Sequence, residues 1–220
     1  AEMYVATQDS RDGYWVHGYF YEGGRYVPAA KDPLIQDHCQ TGPILLLAYM
    51  HRVTGDERYL AAAKKGAEFL IRAQNPNGSW SHHYDAAKGR AATQLDDAAG
   101  GEVNDYGTSA PVATLLQMHR LTGDAKLRAA ALRGADWLVK AFIRNERVCG
   151  WAGQYDADDR PVAARHFEPA AVTHYAPRWA AMGLLAAYRE TRDRKYLAPL
   201  QEVVAWFDAH KGEGGWWWDY

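Results

Sequence analysis

Cysteine is scarce in this chain, with only Cys39 and Cys149 among 220 residues. That scarcity argues against a disulfide-built scaffold, and without a CxxC or a Cys/His spacing there is no zinc module. The two cysteines are compatible with one bridge between loops or with two buried thiols. Charge of one sign is lacking as well, since 25 Lys and Arg face 27 Asp and Glu for a formal net charge of -2. A nucleic-acid binder would normally show a basic stripe, so that class is disfavoured. No apolar run approaches the roughly 18 residues of a membrane helix. The opening AEMYVATQDS has neither the basic nor the apolar part of a secretory signal, so an exported form would already have lost it. What the chain has in excess is aromatic, with nine Trp and fourteen Tyr. These rings serve either as core packing or as flat platforms for sugar faces, and composition does not choose. With 48% hydrophobic and 24% charged residues, residues 1–220 read as a single domain with a substantial core.

Internal repetition shapes the fold expectation most. The stretches QDHCQTGP (36–43) and NDYGTSAP (104–111) share Asp in second place and Pro in last, at an offset of 68 residues, and both lead to MHR-[VL]-TGD. Three units align: one from Gly42, one from Ala110 and a more diverged one from Ala176. Each reads as helix, turn, helix and a Gly–Trp segment carrying Trp80, Trp151 or Trp216. DGYW, with Trp15, resembles a half-unit of the same kind. Periodicity predicts a buried face of Leu45, Leu46, Tyr49 and Met50 on the first helix, and of Tyr59, Ala63, Ala67, Leu70 and Ile71 on the second. Gly55 and Gly123 read as helix stops, Asp56 and Asp124 as N-caps, and Pro43, Pro111 and Pro177 as first-turn residues. The expected fold is all-α, an incomplete (α/α)3 toroid of three antiparallel hairpins with long Trp-bearing loops. A plain helical solenoid used for binding is the alternative.

If the leading helices run alike, their N-termini gather at one rim, where partial positive charge favours anions. The segments entering them carry Asp37–His38, Asp105–Tyr106 and His174–Tyr175. Two Asp at equivalent repeat positions would approach one axis and repel, which a hard cation such as calcium would offset; Asx-turns are the structural alternative. Arg160, Arg165, His166 and Glu168 form a second cluster. Arg165 and Glu168 make either a salt bridge or, through the planar guanidinium, a carboxylate-binding site. Asp96 and Asp97 are metal ligands or, more simply, solvated.

Residues 36–190 resemble the family-ten polysaccharide lyases, the pectic acid lyases. The likeness is carried by YLAAAKKGAEFLIRAQNPNGSWSHHYD, EVNDYGTSAPVATLLQMHRLTGD, WAGQYDADDRPVAARHFEPAAV and QDHCQTGPILLLAYMHRVTGDERY, in that family's motif content. The resemblance implies calcium-assisted β-elimination of a pectate-like polymer by a secreted or periplasmic monomer that contacts neither membrane nor nucleic acid. It implies Asp37 and Asp105 as metal-side acids and Arg165 as the catalytic arginine, with His174 and Tyr175 as another base and acid set. Substrate contacts are expected from His38, His83, Tyr106, Arg160 and Arg178, and from the rings of Trp80 and Trp151. His38 and Tyr106 stand where the family has Asn and a second Asp, and GSWSHH stands for GGWPQ. A glycoside hydrolase with paired carboxylates and an inert glycan- or protein-binding toroid remain open as alternatives.

Overall fold

Each TGD turn ends one helix and starts the next. Thr54 Oγ1 donates to the Met50 carbonyl (2.7 Å) and Thr122 Oγ1 to that of Met118 (2.8 Å). Gly55 and Gly123 follow in the left-handed region at φ 72° and 75°. Asp56 and Asp124 then accept from the backbone N–H of Arg58 (2.9 Å) and Lys126 (2.8 Å), capping the next helix. The third copy keeps Thr191 and Asp193 in these roles. It places Arg192 at the left-handed position with φ 62°, at a cost of about 1–2 kcal/mol for a non-glycine.

A computed structural model describes residues 1–92 and 100–212 of the chain. Asp96, Asp97 and Trp216 lie outside the described residues. Helix α1 (Glu2–Thr7) is followed by a hairpin of β1 (Tyr19–Glu22) and β2 (Arg25–Pro28). The helix pairs are α2 (Thr41–Thr54) with α3 (Glu57–Arg72), α4 (Ser109–Thr122) with α5 (Ala125–Lys140), and α6 (Ala176–Thr191) with α7 (Ala198–His210). Between pairs lie the ribbons β3 (His83–Asp85) with β4 (Arg90–Ala92), and β5 (Ile143–Arg144) with β6 (Cys149–Gly150). Helix α4 packs on α5, α6 and α2, so the leading helices adjoin one another. The architecture is the incomplete α/α toroid that the repeats predict. Among the described residues no helix is long and apolar enough to cross a membrane.

The recurrent tryptophans close helix ends. Trp15, Trp80 and Trp151 donate from Nε1 to the carbonyls of Tyr4 (2.8 Å), Leu70 (2.8 Å) and Leu138 (2.7 Å). These acceptors sit in the last turns of α1, α3 and α5, where carbonyls have no partner within the helix. Helix α1 with DGYW is therefore a partial unit, as the sequence suggested. Close approach of the first two rings needs a glycine. A Cβ on Gly66 would stand 2.8 Å from Trp15, and one on Gly134 would stand 2.5 Å from Trp80. Trp80 and Trp151 are wholly buried, which corrects their expected role as sugar platforms: neither offers a face to a ligand.

The expected face of α2 is also corrected. Ile44 and Leu47 are buried, whereas Leu46 is 38% and Tyr49 62% exposed. A helix apolar nearly all round has no single face that periodicity can select, and a toroid of three hairpins leaves its inner side open. On α3 the expected Tyr59, Ala63, Ala67 and Leu70 are buried. Cys39 and Cys149 are free thiols.

Candidate active site at the paired acidic loops

The two acidic loops share a strained backbone. Asp37, His38, Asp105 and Tyr106 have φ of 56°, 59°, 47° and 64°, four of the six non-glycine residues with positive φ among those described. Such conformations cost roughly 1–3 kcal/mol each and persist only where surroundings impose them. Here Asp37 N–H donates to the Asp105 carbonyl (3.0 Å), tying one loop to the other. Gln36 Nε2 donates to Asp37 Oδ2 and Asn104 Nδ2 to Asp105 Oδ2, each at 3.1 Å. The same construction thus stands twice, side by side, at the entry to α2 and α4.

Around it the loop after β6 supplies a charge network. Arg165 donates to Glu168 from Nε (2.9 Å) and Nη2 (2.6 Å), and its backbone N–H adds a third bond at 3.1 Å. Asn104 Nδ2 donates at 3.0 Å to Glu168 Oε1, the oxygen that also accepts from Arg165 Nη2, joining the network to the Asp105 loop. The salt bridge expected between Arg165 and Glu168 is present and bidentate. Arg165 holds the Glu168 carboxyl below its ordinary range, and Glu168 in turn raises the guanidinium. Burial, and then the neighbouring Asp37 charge, raise the Asp105 carboxyl, while Arg165 opposes them.

Asp37, Gln36, His82, His83, His17, Leu34 and Arg165 line one open cleft of about 480 Å³. Behind it lies Glu102, 2% exposed, with Oε2 3.6 Å from His82 Nδ1. Burial raises the Glu102 carboxyl, and neither of its oxygens accepts a hydrogen bond. Glu102 and His82 went unnoticed in the sequence. The nearest signals were the SHH that departs from the resembled motif and the Glu three places before Asp105. A second wall is aromatic. His38 packs at a tilt on Tyr106 (centroids 4.9 Å), Tyr106 meets Trp179 (6.1 Å), and Trp179 meets Tyr175 (4.8 Å), with His174 beyond (5.2 Å). Arg178 lies 5.2 Å over the Trp179 ring.

The expected residues therefore divide. Asp37, Arg165 and His83 line the cleft, Asp105 adjoins it through its carbonyl bond to Asp37, and His38, Tyr106, His174, Tyr175 and Arg178 share the adjoining aromatic row. Arg160 belongs to neither: its side chain is 74% exposed and points to Asp158 at 3.6 Å, because residues 156–160 form a turn closed on Asp156. For a hard cation the donor set is suitable in kind. It comprises two carboxylates that disfavour each other and the buried Gln36 Oε1, which has no donor. Among the described residues no three His, Cys, Asp or Glu side chains converge in a way that could hold a metal ion.

The model of the family described as pectic acid lyase matches residues 26–216. No curated protein matches in sequence. Among solved structures, the chain is similar to a family 10 polysaccharide lyase from Cellvibrio cellulosa, at 19% identity and TM-score 0.75. A mutant of that enzyme in complex with trigalacturonic acid matches at 18% identity and TM-score 0.76. Each match covers 94% of this chain and 65% of the other, so the chain spans about two thirds of their length. A cellobiose 2-epimerase from Spirochaeta thermophila matches at 15% identity and TM-score 0.71, over 95% of this chain and 50% of that one. At these identities the likeness is one of fold.

Proposed function

This chain belongs to the pectic acid lyase family, and from that premise we propose that it cleaves a uronate-containing, pectate-like polysaccharide by β-elimination outside the cell. The observation carrying the proposal is one open cleft lined by Asp37 and Arg165, with the second strained acidic loop tied to both through the Asp105 carbonyl and the Asn104–Glu168 bond. The trigalacturonic acid bound by the Cellvibrio mutant is a ligand of matching class. In this reading C5–H of a 4-linked uronate is removed, the C4–O bond breaks, a C4–C5 double bond forms, and the leaving oxygen takes a proton from solvent. The step needs charge neutralisation on the uronate carboxylate, where negative charge grows as the proton leaves.

Arg165 is the group assigned to that face of the sugar. Glu168 fixes the plane of its guanidinium through two bonds, leaving the side chain 43% exposed toward the cleft. The same pairing keeps Arg165 protonated, so it binds and stabilises an anion readily, and as a proton acceptor it would work only at alkaline pH beside another cation. A second acceptor is favoured by position. His82 lines the same cleft, its Nδ1 3.6 Å from the buried Glu102 carboxyl. Loss of elimination in His82→Ala with polymer binding retained assigns the proton to His82; elimination surviving there assigns it to Arg165. Calcium held by Asp37 and Asp105, with Gln36 Oε1 beside them, would add neutralising charge at the uronate carboxylate.

The test is incubation with polygalacturonate, glucuronan, alginate and rhamnogalacturonan, with calcium or with chelator, read by ultraviolet absorbance of the unsaturated uronate. Polygalacturonate should give product, calcium should increase it, and Arg165→Ala should abolish it with the fold retained. New reducing ends without ultraviolet absorbance would favour the hydrolase alternative instead.

A further inference from the structure

The β1–β2 hairpin carries large rings that the fold does not use. Gly23 and Gly24, at φ 56° and 80°, make its turn, the two-residue form that suits the strand twist. Register sets its faces: Tyr19 pairs with Pro28 and Tyr21 with Tyr26, while Phe20 pairs with Val27. Directly opposed residues point the same way and alternate along the strand, so Tyr19, Tyr21 and Tyr26 share one face. The base of that face is anchored, because Tyr19 Oη donates to the Thr7 carbonyl (3.1 Å) and accepts from Val16 N–H (3.2 Å). Its outer part is free of the core. Tyr21 and Tyr26 are 67% and 42% exposed, with ring centroids 5.1 Å apart. An isolated two-stranded ribbon is marginal in water, and two exposed rings add little to holding it in place.

This face looks onto a groove. Tyr19 and Tyr26 line a cavity of about 400 Å³ together with Tyr4, His38, His17 and Asp37. His17 and Asp37 also line the cleft beside Arg165, so groove and cleft run into each other past these two side chains. Tyr19 and Tyr21 precede the family-matched segment, which starts at residue 26.

We propose that the hairpin is a remote sugar-binding subsite, where the polysaccharide leaving the main cleft past His17 and Asp37 lies across Tyr19, Tyr26 and Tyr21. The inference rests on the lyase reading of the cleft. Tyrosine suits the task, since its ring packs on the C–H face of a pyranose while its hydroxyl meets sugar hydroxyls. Continuity with the cleft favours a carbohydrate chain over a protein partner, which would have no reason to align with the cleft.

The experiment compares the intact chain with Tyr21→Ala, Tyr26→Ala and the double variant, using polygalacturonate and trigalacturonate as probes. Because both side chains are exposed, melting temperatures should stay close to the parent. Each substitution should raise KM for the polymer about 5-fold, with kcat retained and KM for the trisaccharide unmoved. In gels containing polygalacturonate, the same variants should migrate less retarded. Equal polymer KM and equal retardation, with cleavage intact, would overturn the subsite while leaving the lyase reading standing. Failure of the parent chain to bind or cleave any polyuronate would instead remove the lyase reading, and the subsite with it. A double variant that turns a dimer into a monomer in sedimentation would assign the rings to self-association and also overturn the proposal.

Discussion

Replacing Glu168 with glutamine probes the site more selectively than deleting Arg165. The carboxylate accepts from Arg165 Nε, Nη2 and backbone N–H and from Asn104 Nδ2, all between 2.6 and 3.1 Å. Glutamine keeps the shape but removes the charge and turns an N–H group toward some of these donors. Hydrogen bonds to a charged group contribute about 1.5–3 kcal/mol each when sheltered, yet Arg165 is 43% exposed and regains water once released. Its share falls to about 0.2–1 kcal/mol, the range of exposed pairs. The Asn104 and backbone bonds contribute about 1 kcal/mol each, for a total loss near 2–3 kcal/mol. In a chain of this size each kcal/mol moves Tm by about 2–4 °C, so Glu168→Gln should melt roughly 4–12 °C lower at pH 7. The sign with pH is fixed by the lowered Glu168 carboxyl. Its stabilisation is present above the unfolded glutamate value near 4.3 and is lost as pH falls through the folded value. The Tm difference should therefore be constant above about pH 6 and shrink in acid. With the guanidinium no longer held in plane, kcat on polygalacturonate should fall about 100-fold, as misplacement by about 1 Å does. The assay is thermal melting at several pH values alongside initial rates. A variant melting within about 1 °C of the parent at pH 7, with kcat unchanged, would refute the positioning role of Glu168.

Trp80→Phe removes the indole donor to the Leu70 carbonyl; it should cost about 1–3 kcal/mol in urea unfolding with KM unchanged. A raised KM with undiminished stability would restore Trp80 as a sugar platform. Calcium at ten times its Kd should stabilise the chain by about 1.4 kcal/mol, raising Tm about 3–6 °C, and Asp37→Asn or Asp105→Asn should remove that shift. An equal shift in both variants would place the ion elsewhere. Burial, foremost, pushes the Cys39 thiol up to about 11, so native chain should react with thiol reagents far more slowly than unfolded chain, in which two thiols should titrate. Rapid native labelling of Cys39 would contradict its shielded position.

Much of the scaffold could be read directly, because local chemistry repeats in register. Thr, Gly and Asp in the TGD turns each perform one backbone task, and the partial unit at Trp15 follows from the same indole bond as Trp80 and Trp151. Arg165 and Glu168 were legible as a pair because they lie three residues apart on one loop. The tryptophans misled because an aromatic excess looks alike whether rings face sugars or helix ends. Leu46 and Tyr49 misled because exposure on α2 depends on how many hairpins close the ring. The left-handed pairs Asp37–His38 and Asp105–Tyr106 carry no glycine to announce them. The approach of Glu102 to His82 joins residues twenty positions apart, a meeting that only packing creates.

The central claim is elimination at the cleft of Asp37 and Arg165, beside the Asp105 loop, and the mass balance of its products tests it most directly. Digestion of a defined oligogalacturonate should yield fragments whose masses sum to that of the substrate, with no water added and one fragment unsaturated. The Arg165→Ala chain should leave the substrate whole. Fragments that together exceed the substrate by one water would contradict the account, since they would show hydrolysis.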